Sequence, residues 1–313
     1  MKFISSILTS AYFKDYPPVL VDIGASGTIH PKWKSIARHS ICVAFDADDR
    51  EFRMNQEESN AYRRLITFNR IVTSQPEKFA TFYLTASPFC SSLLRPKEEA
   101  LSKWVFGDLF RIEKKIELPA ITIHEALGVA GLTYVDWFKT DTQGTDLRLF
   151  NSLPEQLSHN ILAAEFEPGI LDAYEGEDKL HEVMKKMEEK QFWLSTMDVK
   201  GIQRLNKNYV RKVGSLYAKR IIRKSPGWAE LTYLRKPISL SARQYLLLFV
   251  FAVVEQQFGF ALEVLDEADE SYNDAIFRDC RRAVLATIQR NRWKVPFVIL
   301  KRQINKLFSD IND

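Results

Sequence analysis

The sequence predicts an α/β fold built on an open, mostly parallel β-sheet, and three strand-to-loop junctions support that prediction. Short apolar runs at residues 19–21, 41–45 and 135–140 each stop at an aspartate. Runs of this kind are typical of strands that are buried on both faces, as in parallel sheets. Because ligands bind beyond the carboxyl ends of parallel strands, the three aspartates predict a binding site along one edge of the sheet.

Further strand and helix patterns follow along the chain. Their order predicts a doubly wound sheet, for which we expect seven strands with helices packed on the faces. The remaining strand-like stretches are residues 65–72, 79–85, 120–123, 161–168, 192–197 and 229–234. Helix-compatible stretches are residues 49–64, 124–127, 145–153 and 177–190.

An α-helical C-terminal extension is predicted after the sheet, which divides the chain into residues 1–236 and 237–313. Two sets of apolar residues recur there at helical spacing. The first set is Ile276, Phe277, Cys280, Ala283, Val284 and Ile288, and the second set is Ile299, Leu300, Ile304, Leu307 and Phe308.

Composition places the chain among ordinary globular proteins. Its 313 residues are 46% hydrophobic and 27% charged, a balance that is typical of folded domains. Three scattered cysteines form no Cys-x-x-Cys pair, which argues against a disulfide framework or a zinc site and predicts a reducing, cytoplasmic location. The most apolar window, residues 246–254, is too short to span a bilayer, and the N-terminus lacks a signal-peptide pattern.

The glycine-containing turn after the first strand predicts a nucleoside-binding loop. Gly24-Ala25-Ser26-Gly27 lacks the later glycines of a dinucleotide fingerprint, which disfavours NAD. S-adenosylmethionine fits better, since Asp22 could take its ammonium group and Asp46 both ribose hydroxyls. The alternative is that both acids are simple turn formers. The predicted cofactor contacts are Asp22, Gly24, Ala25, Ser26, Gly27, Asp46 and Ala47.

Several motifs together resemble one enzyme family. They are VDIGASG at 21–27, AFDADD at 44–49, SSLLRP at 91–96, WFKTDTQGTDL at 137–147 and AAEFEP at 163–168. Over residues 19–234 the chain resembles the FkbM-type S-adenosylmethionine-dependent methyltransferases. The resemblance implies a Rossmann-like class I methyltransferase fold, S-adenosylmethionine as cofactor and a hydroxyl of a carbohydrate or glycoconjugate as methyl acceptor.

The chain departs from that family at two places. Asp46-Ala47 stands where members usually have Glu-Pro, and Gln143 stands where many have Glu. Asp46 keeps a carboxylate for the ribose. Gln143 carries no charge, so a role that needs an ionised group at this position is in doubt.

Methyl transfer to an alcohol requires a base, because the hydroxyl is a poor nucleophile until its proton is removed. Asp141 is the preferred base, although an aspartate here can equally cap the helix that begins near Gly144. Glu165 is the second candidate; it and Glu167 share one face of a regular strand, where one of them is expected to bind acceptor or metal. A divalent cation between strand-end carboxylates would be another way to activate the acceptor.

The histidines of the sequence give little support to a metal or catalytic role. Their spacing fits no metal site, so no bound metal is predicted. His30, just after the glycine loop, is a weaker candidate for a base.

The net charge of +4 hides an asymmetry along the chain. Residues 1–200 carry 24 Lys and Arg against 29 Asp and Glu, whereas residues 201–313 carry 20 against 11. Residues 204–224 hold eight cations and no acid, interleaved with apolar side chains, and they predict contact with an anionic membrane or an acidic glycolipid. The alternative is a solvated basic loop.

Two other functions remain open from the sequence. One is a non-catalytic module with a methyltransferase fold, which the intact Asp22, Gly24 and Asp46 argue against. The other is an RNA methyltransferase that uses the basic segment, but beyond Tyr209 and Tyr217 this segment lacks the aromatic platform that single strands need.

Overall fold

A computed structural model of the chain describes residues 2–25, 31–45 and 61–295. The chain divides into two compact units, one from Phe3 to Ile238 and one that begins at Ser239. The first unit contains the sheets and the second is helical, and each is described by itself.

The first unit is built on a seven-stranded sheet with the order β3-β2-β1-β7-β8-β10-β9. Strands β3, β2, β1, β7 and β8 run parallel to one another, while β10 runs antiparallel to both of its neighbours. The predicted seven-stranded, mostly parallel α/β sheet is therefore confirmed. Its strands are β1 (Val19–Ile23), β2 (Ile41–Phe45), β3 (Arg64–Phe68), β7 (Trp137–Thr140), β8 (Ala163–Phe166), β9 (Phe192–Gln203) and β10 (Lys224–Arg235).

A second sheet of three strands accompanies the first, in the order β4-β6-β5. Its strands are β4 (Ile71–Val72), β5 (Phe79–Thr85) and β6 (Ile112–Ile121). The predicted single strand over residues 65–72 is wrong, because it is split between the two sheets. Only the end of β6 was predicted, as part of the strand expected over residues 120–123. Its first half was missed, since it alternates charged residues with half-buried apolar ones and resembles a solvated loop.

Helices connect the strands of the first unit. The α-helices are α1 (Lys2–Leu8), α2 (Ala11–Lys14), α3 (Glu98–Leu101), α4 (Ile123–Ala130), α5 (Asp146–Asn151), α6 (Glu155–Asn160), α7 (Leu180–Glu189), α8 (Lys207–Val213) and α9 (Ser215–Ile221). Short 3-10 turns lie at Pro31–Ser35, Ala37–His39, Pro88–Cys90 and Gly107–Phe110.

The two faces of the large sheet differ in chemistry. One face forms the main apolar core, in which Val21, Phe138 and Phe166 pack with residues of α4, α5 and α7. On the other face, Asp22, Lys139, Glu165 and Thr232 are successive register partners across four strands. Alternation along each strand therefore places a row of polar groups opposite the apolar core.

The C-terminal unit is helical, as predicted, with α10 (Ala242–Val254), α11 (Phe258–Tyr272) and α12 (Ala275–Arg290). In α12 the first predicted stripe is partly core: Phe277, Cys280 and Val284 are buried, whereas Ile288 is exposed. The second stripe, residues 299–308, lies outside the described residues. Over the part of the chain that the structure covers, no helix is both long and apolar enough to cross a membrane.

Candidate functional site

A cavity of about 470 Å³ lies at the carboxyl ends of the parallel strands. Gly24 after β1, Phe45 at the end of β2, Asp141 after β7 and Glu167 after β8 all line it. The chain turns from β1 to β2 on one side and returns to β7 on the other side of β1. Such a reversal of strand order opens a crevice at the sheet edge, and this is where open α/β proteins bind ligands.

Gly24 allows the loop after β1 to pass close to the loop after β7. Its φ is +82°, and a Cβ built on it would lie 2.1 Å from the carbonyl oxygen of Asp141. The Gly24 amide donates to the carbonyl oxygen of Phe45 at 3.0 Å. Any other residue at position 24 would therefore both strain the backbone and collide with the neighbouring loop.

Two acidic side chains, Asp141 and Glu167, form a hydrogen-bonded pair in the cavity wall. Burial, followed by the neighbouring charges of Asp141 and Asp146, raises the pKa of Glu167 to about 9. Glu167 therefore holds a proton at neutral pH, since two close carboxyl groups share one proton more readily than both ionise. Gln143 Nε2 also donates to Asp141 Oδ1, at 2.6 Å.

The buried Asp146, at the start of α5, accepts hydrogen bonds from two loops of the site: the loop after β7, which carries Asp141, and the loop after β8, which carries Glu167. Its Oδ1 accepts from the Thr142 amide at 2.9 Å and from Thr140 Oγ1 at 3.1 Å, and its Oδ2 accepts from the Glu167 amide at 2.8 Å. Burial raises the pKa of Asp146 to about 6, against the opposing effect of its hydrogen bond with Thr142. Asp146 thus fixes the position of Glu167 relative to the loop that carries Asp141.

A second set of contacts holds the loop after β7 from the other side. Gln143 has a left-handed backbone, with φ of 57°, and its side-chain oxygen accepts from the buried Tyr174 hydroxyl at 3.3 Å. Ser92, in the SSLLRP motif, donates to the Gln143 carbonyl oxygen at 2.8 Å. The side chain of Gln143 therefore links Asp141 to Tyr174, while Ser92 supports its backbone.

The rest of the cavity wall is largely aromatic and apolar. The indole N–H of Trp228 is buried and has no hydrogen-bond partner within the described residues. Trp228 and Phe106 lie with nearly parallel rings, at 6.3 Å between centroids. A ligand with a flat or apolar part would suit this wall. Its main apolar members are Phe45, Phe82, Phe106, Phe110, Leu171 and Trp228.

Three predicted site residues that the structure describes, Asp22, Ala25 and Glu165, do not line the cavity. Two of them, Asp22 and Glu165, are acids. The Lys139 ammonium donates to Asp22 Oδ1 at 2.7 Å. Glu165 accepts from Trp137 Nε1 at 2.8 Å and from Lys32 Nζ at 3.1 Å. Both acids belong to the polar row, and the structure gives each a cationic partner there.

Lys139 is the charged centre of that row. Burial lowers its pKa, but the carboxylates of Asp22 and Asp141 outweigh burial and raise the pKa of Lys139 above its usual value. Lys139 therefore stays protonated and balances the acids on either side of β7. Sequence patterns alone could not separate Glu165 from Glu167; the structure does so because β8 ends at Phe166.

The remaining predicted contacts divide between described and undescribed residues. Ala25 is buried and its amide donates to the Phe45 carbonyl oxygen at 3.0 Å. Ser26, Gly27, His30, Asp46 and Ala47 lie outside the described residues. Within the described ranges, no three His, Cys, Asp or Glu side chains are grouped so that they could hold a metal ion.

No family model matches the chain, and a search of curated proteins found no match.

Three residues that line the cavity were not predicted as site residues from the sequence. Gln143 was noted only for its lack of charge, and Tyr174 and Trp228 were not singled out. Tyr174 belongs to an irregular loop, and Trp228 lies at a register shift in β10. Neither residue stands next to a motif, so only the folded chain shows that both reach the cavity.

Proposed function

We propose that the protein is an S-adenosylmethionine-dependent methyltransferase that methylates a hydroxyl of a carbohydrate or glycoconjugate. The observation that carries this proposal is the cavity at the carboxyl edge, where Gly24 lies against the loop that bears Asp141 and where Glu167, from the loop after β8, also lines the wall. A seven-stranded open sheet with its chemistry at the strand ends is the arrangement that class I methyltransferases use. The acceptor class comes from the resemblance of the motifs alone.

The cavity residues fit a nucleoside cofactor. Gly24 leaves room for close approach to the backbone, and Phe45 and Val72 offer apolar contact to a base. Asp46 follows directly after Phe45 and stays our predicted ribose partner. Asp22 pairs with Lys139, so we assign Asp22 a structural role within the sheet. We expect a carboxylate of the cavity wall, and not Asp22, to bind the cofactor's ammonium group.

When bound, S-adenosylmethionine would supply an electrophilic methyl group. The protein must then position the acceptor hydroxyl and accept its proton. Asp141 is the proposed proton acceptor, because it lines the cavity and is held by Gln143 and Glu167. Glu165, the second sequence candidate, contacts Lys32 and Trp137 and does not line the cavity. Glu167 lines it beside Asp141 but is protonated, which leaves Asp141 as the base.

Binding and transfer should be tested separately. Calorimetry should show S-adenosylmethionine binding to the wild type, weakened by about 1.5 to 3 kcal/mol in Asp46→Ala, since a hydrogen bond to a charged group is lost. Asp49→Ala, which removes an acid three positions further along the sequence, is the control. Binding of NAD without any binding of S-adenosylmethionine would refute the cofactor assignment.

Methyl transfer should be followed with labelled cofactor on carbohydrate and glycolipid fractions. We expect Asp141→Asn to bind the cofactor but to lose transfer by about a hundredfold or more, as expected for loss of a general base. Glu175→Gln, which changes an exposed acid, should keep both properties. Cofactor binding without transfer to any fraction by the wild type would favour the non-catalytic binding module.

A further inference from the structure

We propose that a helical hairpin at the carboxyl edge of the sheet docks onto an anionic membrane surface. This basic hairpin, residues 204–224, joins β9 to β10 and contains α8 and α9. It carries eight Lys and Arg and no Asp or Glu. The inference concerns a surface outside the cavity and does not rest on the proposed methyl transfer.

The basic hairpin exposes large apolar side chains among its cations. Tyr209 is 58% exposed, Leu216 60%, Tyr217 61% and Ile221 74%. Single exposed apolar residues are common, but four within thirteen positions of a basic segment are an unusual concentration of apolar surface in water. Apolar and tyrosine side chains surrounded by Lys and Arg are the composition of a helix that lies in the membrane interface.

The fold places the basic hairpin on the side of the sheet that bears the cavity. Strand β10 is antiparallel to both β8 and β9, so β9 runs in the direction of the parallel strands. Its Met197 is level with Phe166, the last residue of β8, and β9 continues past this carboxyl edge to Gln203. Gly214, with φ of +86°, makes the turn between α8 and α9. The buried Ala218 marks the inner side of α9.

Direct contacts tie the basic hairpin to a segment that forms part of the cavity wall. Asn206 Nδ2 donates to the Ser102 carbonyl oxygen at 3.1 Å, and Lys207 pairs with Asp108 at 3.3 Å. Between these contacts lies Phe106, which lines the cavity. A membrane bound by the hairpin would therefore lie close to the cavity, where an acceptor anchored in the leaflet could reach it.

Charge and exposed apolar area together favour a membrane over a soluble polyanion. Phosphate groups of a soluble polyanion would neutralise the cations but leave Leu216 and Ile221 in water. An anionic leaflet attracts the cations and also buries these two side chains in its interface. We therefore expect binding that needs anionic lipid, weakens with salt and depends on the apolar side chains.

Vesicle co-sedimentation of the full chain tests this inference. The vesicles are phosphatidylcholine alone and phosphatidylcholine mixed with phosphatidylglycerol, and no cofactor is needed. The charge variant replaces Arg211, Lys212, Arg220 and Arg223 with Ser, and the apolar variant replaces Leu216, Tyr217 and Ile221 with Ser. A matched control replaces four exposed lysines outside the hairpin with Ser, namely Lys34, Lys114, Lys115 and Lys185.

We expect the wild type and the matched control to sediment with the anionic vesicles and not with the neutral ones. Both hairpin variants should lose at least about tenfold in partitioning, because each removes one of the two contributions to binding. Equal sedimentation of the wild type and both hairpin variants would overturn the inference. Loss in the charge variant alone would also overturn it and would indicate a purely electrostatic polyanion site.

A fluorescent probe removes the dependence on multiply substituted variants. Leu216→Cys can be labelled with an environment-sensitive dye, because the three native cysteines are all buried. Anionic vesicles should shift its emission to the blue, while a soluble polyphosphate should not. The same dye at Lys114→Cys should stay unchanged with both. A blue shift at neither position with anionic vesicles would overturn the inference.

Discussion

At the scale of single residues, Gly24 sets how closely the two loops of the site approach each other. Replacing Gly24 with Ala brings a Cβ to within 2.1 Å of the Asp141 carbonyl oxygen at a φ of +82°. We expect Gly24→Ala to lower the free energy of unfolding by more than about 1 kcal/mol, because both strain and collision oppose the fold. Urea unfolding measures this loss.

Gly128 provides the matched control for that substitution. It lies inside α4, and a Cβ there would have nothing within 4 Å. Gly128→Ala should therefore stabilise the protein by about 0.5 to 1 kcal/mol, since alanine loses less backbone entropy in a helix. Equal and small effects of the two substitutions would show that the loops do not approach as described.

The raised pKa of Glu167 predicts a pH-dependent stability. The folded state holds this proton up to about pH 9, whereas an ordinary Glu releases it near pH 4.5. Glu167 therefore stabilises the fold at low pH, and that contribution declines as pH rises from about 4.5 to about 9. Glu167→Gln mimics the protonated form, so it should be more stable than the wild type at about pH 8 and should lose this advantage towards about pH 5.

Thermal unfolding across that pH range measures the effect, with the exposed Glu175→Gln as control. Glu175→Gln should follow the wild type at every pH. A difference between Glu167→Gln and the wild type that stays constant with pH would mean that Glu167 holds no extra proton in the folded protein.

At the scale of elements, apolar runs that stop at an acid led to the prediction that Asp22, Asp46 and Asp141 lie at one edge of the sheet. Asp141 and Gly24 do line the cavity at that edge, whereas β1 continues to Ile23, so that Asp22 lies within the strand. Asp46 lies outside the described residues.

Glu167 could not be distinguished from Glu165 in the sequence, because the end of β8 depends on a distant partner. The Glu167 amide leaves the strand and donates to Asp146, which lies 21 residues away in sequence. Similarly, the first half of β6 was missed because only its antiparallel partner β5 shows that its charged stretch is extended.

Asp146, in the first turn of α5, accepts hydrogen bonds from the loop that carries Asp141 and from the loop that carries Glu167. Asp146→Asn replaces one carboxylate oxygen with an NH₂ group. If that group takes the position of Oδ2, it faces the Glu167 N–H as a second donor. We expect a loss of about 1 to 3 kcal/mol in the free energy of unfolding, because a buried donor is left without an acceptor. Urea unfolding measures this, with the exposed Asp172→Asn as control.

Hydrogen exchange gives the same prediction a local readout. In Asp146→Asn the Glu167 amide should exchange faster, whereas the amides of β8, Ala163–Phe166, should keep their protection because their ladder bonds are intact. Uniformly faster exchange through β8 would mean that Asp146 supports the whole sheet, and unchanged exchange at Glu167 would mean that it does not hold that loop.

At the scale of the whole molecule, the two compact units should respond differently to the proposed cofactor. The Asp141–Glu167 cavity belongs to the unit from Phe3 to Ile238. A ligand that binds only the folded state stabilises it by about 2.7 kcal/mol at a concentration of 100 times its Kd. With S-adenosylmethionine at saturation, we expect slower amide exchange at residues 23–25, 141–144 and 167–177, the loops that build the cavity.

The helices of the C-terminal unit, residues 242–290, should keep their exchange rates in the same experiment, because none of their residues lines the cavity. Gly24→Ala, in which the cavity loops are forced apart, should show little protection at any of these positions. Protection confined to the C-terminal helices would mean that the cofactor binds the C-terminal unit, and would contradict the proposed site. Protection of the cavity loops by NAD but not by S-adenosylmethionine would keep the site and refute the cofactor.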